Sequence, residues 1–431
     1  MIDFRYLHRR TWISLSCAGT LSSLLPAGWG DEKTPNGEQP ASSPRIRSVI
    51  WLFLKGGAGH HESFDPKPEG DIDAKGEFSA IDTSIPGVQF GEYLPKFAQL
   101  LDQCVLLRGI SHNLGDHSLG VKYSLTGNRP SLTIEYPDLG SICNKELSSF
   151  EGLPRAIAIP NNLAGPGYLG VEFSPLQVGR PQIGKPFSLR GLSFSSQEKL
   201  KTYQRRAGLL KKLDHSFEQP GYSNRSVNGL KRFTEEAEAM LNNPAVAEAF
   251  DISHEPEEIN NLFGKEDFDA GCLLAVRLVA SGVRSVTVTA DGWDTHQAHF
   301  TSMKNILLPK LDSSVAGLIA ALKAKDLWET TAVVIGGEFG RTPKINANAG
   351  RDHHARCSAT VLAGGMFKSG LVIGASDKNG DVPTGPEIAP PDILTTIYEG
   401  LGIDYRRMYQ LSSLRSIPLM TEGKPIMDVF A

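Results

Sequence analysis

Thr331-Ala-Val-Val-Ile-Gly-Gly-Glu338-Phe-Gly-Arg341-Thr-Pro343 is the stretch on which the reading of the fold turns. A short β-branched run that ends in glycines reads as a strand buried on both faces. A carboxylate and a guanidinium just past such a strand are how open α/β sheets mount polar chemistry at their carboxyl edge. Gly350-Arg-Asp352-His353-His354 follows shortly after. An earlier segment repeats the arrangement: Ser285-Val-Thr-Val-Thr-Ala-Asp291-Gly-Trp-Asp294-Thr-His296 is again a strand, a glycine, then carboxylates and a histidine. The two segments read as halves of one metal site.

Outward from these, Ser48–Leu54, Cys104–Ile110, Arg155–Ile159 and Ser358–Ala363 have the same continuous apolar character and predict further buried strands. Asp267–Ser281 predicts a helix that packs Leu273, Leu274, Val276 and Leu278 onto the sheet. Leu307–Leu327 and Asp392–Leu401 predict two more, the last with Pro391 before it and Gly402 behind it. Gln197–Phe217 and Val227–Asn243 are charged, Leu-punctuated and of helical period. Strands alternating with helices give an α/β class with a central, mostly parallel sheet covered on both faces. The polar stretch 160–265 breaks that rhythm and reads as a cap or insertion.

The chain has 431 residues, 40% hydrophobic and 21% charged, with a formal net charge of −4. That balance gives no reason to expect nucleic acid as a partner. His8-Arg9-Arg10-Thr-Trp12 precedes a modest apolar stretch, Ile13–Leu25, and then Pro26-Ala27-Gly28. Paired arginines before weak hydrophobicity resemble a twin-arginine export signal, so residues 1–45 read as signal and polar linker and 46–431 as the working domain. The partner implied is the twin-arginine machinery, and the address is the periplasm or the exterior. Cys17 lacks the apolar run that a lipid-anchored cysteine needs. Beyond the leader, no stretch reads as a membrane span. The remaining cysteines, 104, 143, 272 and 357, are scattered without zinc-type spacing, and both disulfides and buried thiols stay open.

The chemistry-bearing residues fall just after predicted strands. His60, Glu62 and Asp65 follow the first in a glycine-rich loop, and imidazole mixed with carboxylate is a metal-ligand vocabulary. Asp116, His117 and Ser118 follow the second at the start of a helix, where free N–H groups favour an anion. His117 is a candidate oxyanion contact and Ser118 a candidate nucleophile. Asp294 and His296 alternate on an extended segment, so both reach one ion. Glu338 would be costly to bury alone and should bind a metal or pair with Arg341. Arg341, with its planar fork, is the candidate holder of a tetrahedral oxyanion. Asp352 and His353 complete the set.

These stretches resemble the family of domain of unknown function 1501, within the alkaline-phosphatase-like superfamily that also contains sulfatases. The resemblance runs through Gly56-Gly57…Phe64-Asp65-Pro-Lys-Pro68, Gly292-Trp-Asp-Thr-His296, Gly337-Glu-Phe-Gly-Arg-Thr-Pro343 and Gly350-Arg-Asp-His353. It implies an alkaline-phosphatase-like sheet with one or two metal ions at its carboxyl edge and hydrolysis of phosphate or sulfate esters. Zinc, calcium and manganese all remain open, as do small-molecule and polysaccharide esters. By the same analogy, Asp294 and His296 would ligate an ion, Glu338 would stand for the strand-end acid and His353 for the late ligand. Gly59, His60, His61, Glu62 and Ser63 depart from the family's usual first loop, and no Cys-x-Pro-x-Arg or Ser-x-Pro-x-Arg sulfatase motif is present. An enzyme, or a secreted binding protein that keeps the fold without turnover, are the two readings the sequence leaves.

Overall fold

The computed structural model describes residues 44–431 apart from 149–151, 184, most of 186–237, 241, 242, 413 and 414. The leader and the segment Gln197–Phe217 lie outside or largely outside those residues, as does most of Val227–Asn243. Ten strands and five helices carry the argument: β1 Ser48–Leu54, β2 Cys104–Ile110, β3 Ala156–Ile159, β4 Leu176–Gln177, β5 Ser285–Ala290, β6 Thr331–Gly336, β7 Gly340–Ile345, β8 Arg351–His354, β9 Ser358–Ala363 and β10 Leu371–Ile373. The helices are α1 His117–Thr126, α2 Leu139–Glu146, α3 Asp267–Ala280, α4 Leu308–Ala324 and α5 Pro390–Leu401.

Eight of the strands form one sheet in the order β10-β2-β9-β6-β1-β5-β3-β4. β1 sits at its centre, parallel to β5 and to β6, with Ile50 opposite both Val286 and Val333. β3 pairs parallel with β5 and with β4. The one reversed strand is β9, antiparallel to both β2 and β6. The mostly parallel sheet expected from the strand–helix rhythm is therefore what forms. The edge strand β4 comes from within the polar stretch 160–265, so that part of the stretch is built into the sheet.

β1 is apolar throughout because it feeds two cores. Ile50, Leu52 and Leu54 pack on one face with α3 and α4, where Leu273, Leu274, Val276 and Leu278 are all fully buried. Val49, Trp51 and Phe53 pack on the other with Val121 and Leu125 of α1, Ile142 of α2 and Ile397 of α5. Alternate side chains of a strand point to opposite faces, which makes a continuous apolar run the right sequence for this place. Gly402 ends α5 in the left-handed conformation, φ 72°, where glycine carries no Cβ penalty.

Two expectations change here. The helical run His299–Ala324 is long and apolar enough to cross a membrane, with an 18-residue window of mean hydropathy 1.3, contrary to the reading that no such stretch follows the leader. That window is 61% buried inside the fold, as suits a core helix. The four cysteines beyond the leader are all free and buried, which closes the disulfide alternative for them.

Candidate metal centre

Because β1, β2, β5 and β6 point the same way, their carboxyl ends share one edge, and the loops beyond them converge there. β1 delivers Gly56 and Gly57, β2 leads to Gly115 and His117, β5 to Asp294 and His296, and β6 to Glu338. The β7–β8 hairpin, with His353 opposite Arg341, brings Asp352 and His353 to the same place. Two glycines make the approach feasible. A Cβ on Gly56, φ 117°, would lie 2.3 Å from the backbone nitrogen of Asp294, and one on Gly350 would lie 1.9 Å from the His296 carbonyl.

The centre is the Asp294 carboxylate. Its Oδ1 accepts a hydrogen bond from Arg341 Nη2 at 2.6 Å and lies 3.0 Å from His296 Nε2, 3.2 Å from His353 Nε2 and 3.2 Å from His117 Nε2. Each imidazole is anchored by its other nitrogen. His117 Nδ1 is 2.7 Å from Glu338 Oε1, His296 Nδ1 is 2.8 Å from Asp352 Oδ1, and His353 Nδ1 is 2.7 Å from the Gly115 carbonyl. Carboxylates and carbonyls only accept, so all three Nδ1 atoms carry the proton and donate it. In the neutral rings all three Nε2 atoms then present lone pairs.

His296 Nε2 and His353 Nε2 face each other at 2.9 Å. Two lone pairs at that separation repel; a shared cation, either a proton or a metal ion, makes the contact favourable. His117 Nε2 is buried without completing a hydrogen bond, and so is Glu338 Oε2. The ligand atoms of His117, Asp294 and His353 all lie within 4.8 Å of one another, a spacing that suits a single ion. Three imidazole nitrogens and a carboxylate oxygen fit a metal by donor chemistry as well as by position. Phe339 packs beneath, its ring 5.1 Å from His117 and 4.8 Å from His353, and restrains both rotamers.

The electrostatics follow from these contacts. The hydrogen bond to Glu338 raises the His117 pKa above its ordinary value. Burial opposes ionisation of Asp294, but the hydrogen bond from Arg341 outweighs it and holds the carboxyl well below the usual carboxylate range. Asp352 is lowered by its hydrogen bond to His296 and then by Asn346.

The planar fork of Arg341 predicts a side chain that faces a substrate oxyanion. Its side chain is instead fully buried, donating to the carbonyls of Gly57, Arg351, Gly56 and Trp293 as well as to Asp294. A guanidinium enclosed by backbone acceptors holds Asp294 from below and does not reach a substrate. Glu338 forms no ion pair with Arg341; its Oε1 accepts from Gly56 N–H at 2.8 Å and from His117. Ser118 is exposed, at the second position of α1, beside His117.

The first-loop trio does not join the cluster. His60 Nε2 donates to the Gly380 carbonyl, and Glu62 pairs with Arg351 and lies 2.9 Å from His299. Asp65 is claimed by Arg108, Lys67 and Ser376. Glu62 and Asp65 are buried against Arg351 and Arg108, which removes them as free ligands; His60 is buried with its Nε2 engaged. Sequence reasoning missed Arg351 and the Gly115 carbonyl. Arg351 stands two residues before His353, and a basic residue next to an Asp-His pair was the available signal; nothing in the sequence marks a backbone carbonyl.

The family described as "Protein of unknown function (DUF1501)" matches residues 46–430. No curated protein matches the sequence. Among solved structures, the chain is similar to a lipoteichoic acid synthase from Listeria monocytogenes at 10% identity and TM-score 0.39, covering 90% of this chain and 77% of that one. It is also similar to an alkaline phosphatase superfamily protein from Vibrio parahaemolyticus, at 9% identity and TM-score 0.36, covering 84% and 67%. A sulfatase from Pseudoalteromonas sp. aligns at 11% identity and TM-score 0.36, covering 83% and 68%.

Proposed function

We propose that this chain, which belongs to the DUF1501 family, is an exported, metal-dependent hydrolase of phosphate or sulfate esters whose ion is held by His117, Asp294, His296 and His353. The observation that carries the reading is the meeting of three Nδ1-anchored imidazoles at one carboxylate oxygen, with the 2.9 Å contact between His296 and His353. Three nitrogen donors favour zinc or manganese over calcium, which prefers an all-oxygen shell. When bound, such an ion supplies Lewis acidity toward an ester oxygen and lowers the pKa of water.

The protein's own groups do the rest. Glu338, Asp352 and the Gly115 carbonyl keep the Nδ1 protons in place, and Arg341 keeps Asp294 ionised and oriented. Ser118, exposed on the first turn of α1 beside His117, is the candidate nucleophile, and the free N–H groups of that turn favour an ester anion. The substrate is a small-molecule or polysaccharide ester, reached after export through the twin-arginine route.

Elemental analysis of protein purified without chelator, followed by assays on aryl phosphate and aryl sulfate, tests this. Roughly one zinc or manganese per chain is expected, with turnover lost in His353→Ala and Asp294→Asn and reduced in Ser118→Ala. Stoichiometric metal absent from the wild type, or equal rates in wild type and His353→Ala, would sink the proposal.

A further inference from the structure

Glu62 lies buried behind the cluster without touching it, 2% exposed. Its Oε1 accepts from Arg351 Nε at 2.8 Å and is 2.7 Å from Arg351 Nη2, while Oε2 is 2.9 Å from His299 Nε2. His299 Nδ1 is in turn 2.6 Å from Thr295 Oγ1. Arg351 immediately precedes Asp352 and His353, and Thr295 stands between Asp294 and His296. The Arg351 N–H donates to the Thr295 carbonyl at 3.3 Å, and the Arg351 carbonyl accepts from Arg341, the residue that holds Asp294. One buried carboxylate therefore ties both ligand-bearing segments together from the rear.

Burying a charged pair is weak evidence for stability, because desolvation offsets the attraction. What such a pair contributes is a fixed geometry, and here that geometry is the separation between the loop Asp294–His296 and the strand β8. Resting on the cation-site reading above, we infer that Glu62 is a positioning residue. The Thr295–His299–Glu62–Arg351 strut sets how closely the imidazoles of His296 and His353 approach, and so sets the fit of the ion. A merely stabilising pair would behave differently from this under mutation, and the fold supplies a matched control. The Glu255 side chain is as deeply buried and pairs with Arg277 and Lys325. Those partners lie where α3 and α4 lead into β5 and β6, at the amino edge of the sheet, away from the site.

The test is Co²⁺ titration of wild type, Glu62→Gln, Glu255→Gln and the milder Thr295→Val, reading affinity and the visible d–d spectrum. Glu62→Gln should bind cobalt on the order of 10-fold more weakly, in the range of supporting-residue effects, with an altered spectrum. Thr295→Val should move both in the same direction by less, and it carries the test should Glu62→Gln fail to fold. Glu255→Gln should lower thermal stability and leave cobalt affinity and spectrum unchanged. Wild-type affinity and spectrum in both strut variants would overturn the inference. A second readout, imidazole ¹⁵N NMR of metal-free protein, separates it from the cation reading. If the wild type binds no cobalt, the cation reading falls and the tautomers decide the strut. A loss of the Nδ1–H preference of His296 and His353 in Glu62→Gln supports it, and an unchanged pattern overturns it.

Discussion

Glu338→Gln tests the logic of the site at one atom. Glu338 Oε1 receives both the Gly56 N–H at 2.8 Å and His117 Nδ1 at 2.7 Å, and the side chain is 1% exposed. The amide keeps an oxygen for both donors but loses the charge. Hydrogen bonds to a charged group contribute about 1.5–3 kcal/mol against about 0.5–1.5 for neutral ones. A loss of about 1 to 1.5 kcal/mol in the support of His117 follows, which is about a tenfold weakening of ion affinity. Should the amide turn its NH₂ toward His117 instead, Nδ1 becomes the acceptor and Nε2 carries the proton, which removes it as a ligand. The expected loss in Kd for Zn²⁺ is therefore about 10- to 100-fold, measured by competition with a fluorescent chelator. In metal-free protein the same change should bring down the raised pKa of His117. The stability that pairing gives is complete below the ordinary histidine value and fades as pH rises through the raised one, so the variant should lose it on the acid side. A Glu338→Gln protein that folds and binds Zn²⁺ within about twofold of wild type would refute the supporting role.

Burial drives the His60 pKa from 6.5 down to about 4. Unfolding therefore takes up a proton in that window, and stability should fall as pH drops from 6.5 toward 4, by at most about 3 kcal/mol. His60→Gln, which keeps an N–H for Gly380, should flatten the difference between denaturation midpoints at about pH 7 and about pH 4.5; an unchanged slope would exclude His60 as its source. Gly56→Ala places a methyl 2.3 Å from the Asp294 nitrogen at φ 117°. It should cost on the order of 3 kcal/mol and lower Tm by several degrees, whereas a wild-type melting curve would mean that the loop yields freely. Replacing Arg9 and Arg10 by lysine should leave precursor in the cytoplasm on fractionation, and undiminished export of that variant would rule out the twin-arginine reading.

The strands were legible because each occupies a place where its own composition decides the matter. Ser48–Leu54 and Thr331–Gly336 are apolar on both faces, and only the middle of a covered sheet accommodates that. Convergence of Asp294, His296, Glu338, Asp352 and His353 was legible for the same reason, since parallel strands send their following loops to one edge. The reversed direction of β9 was not, because an apolar strand reads alike both ways and pairing alone sets its sense. Nor was the fate of His60, Glu62 and Asp65. The residue types of Glu62 and Asp65 say that they bind cations, but not that Arg351 and Arg108 arrive from remote positions to be those cations. Arg341 was misread for a related reason: the depth of a side chain depends on which carbonyls surround it, and backbone acceptors leave no trace in a sequence.

The strand at the middle of the sheet is made before the seven others of that sheet, yet Val49 finds its neighbours only at Ser285 and Ala332. Until those arrive, both flanks of Ser48–Leu54 are open templates for any passing β-segment. Such long-range pairing is slow and exposes the nascent chain to aggregation. Most of the polypeptide must be synthesised before its sheet can close, so a chain cut short between β1 and β5 should emerge as insoluble material rather than as a smaller domain.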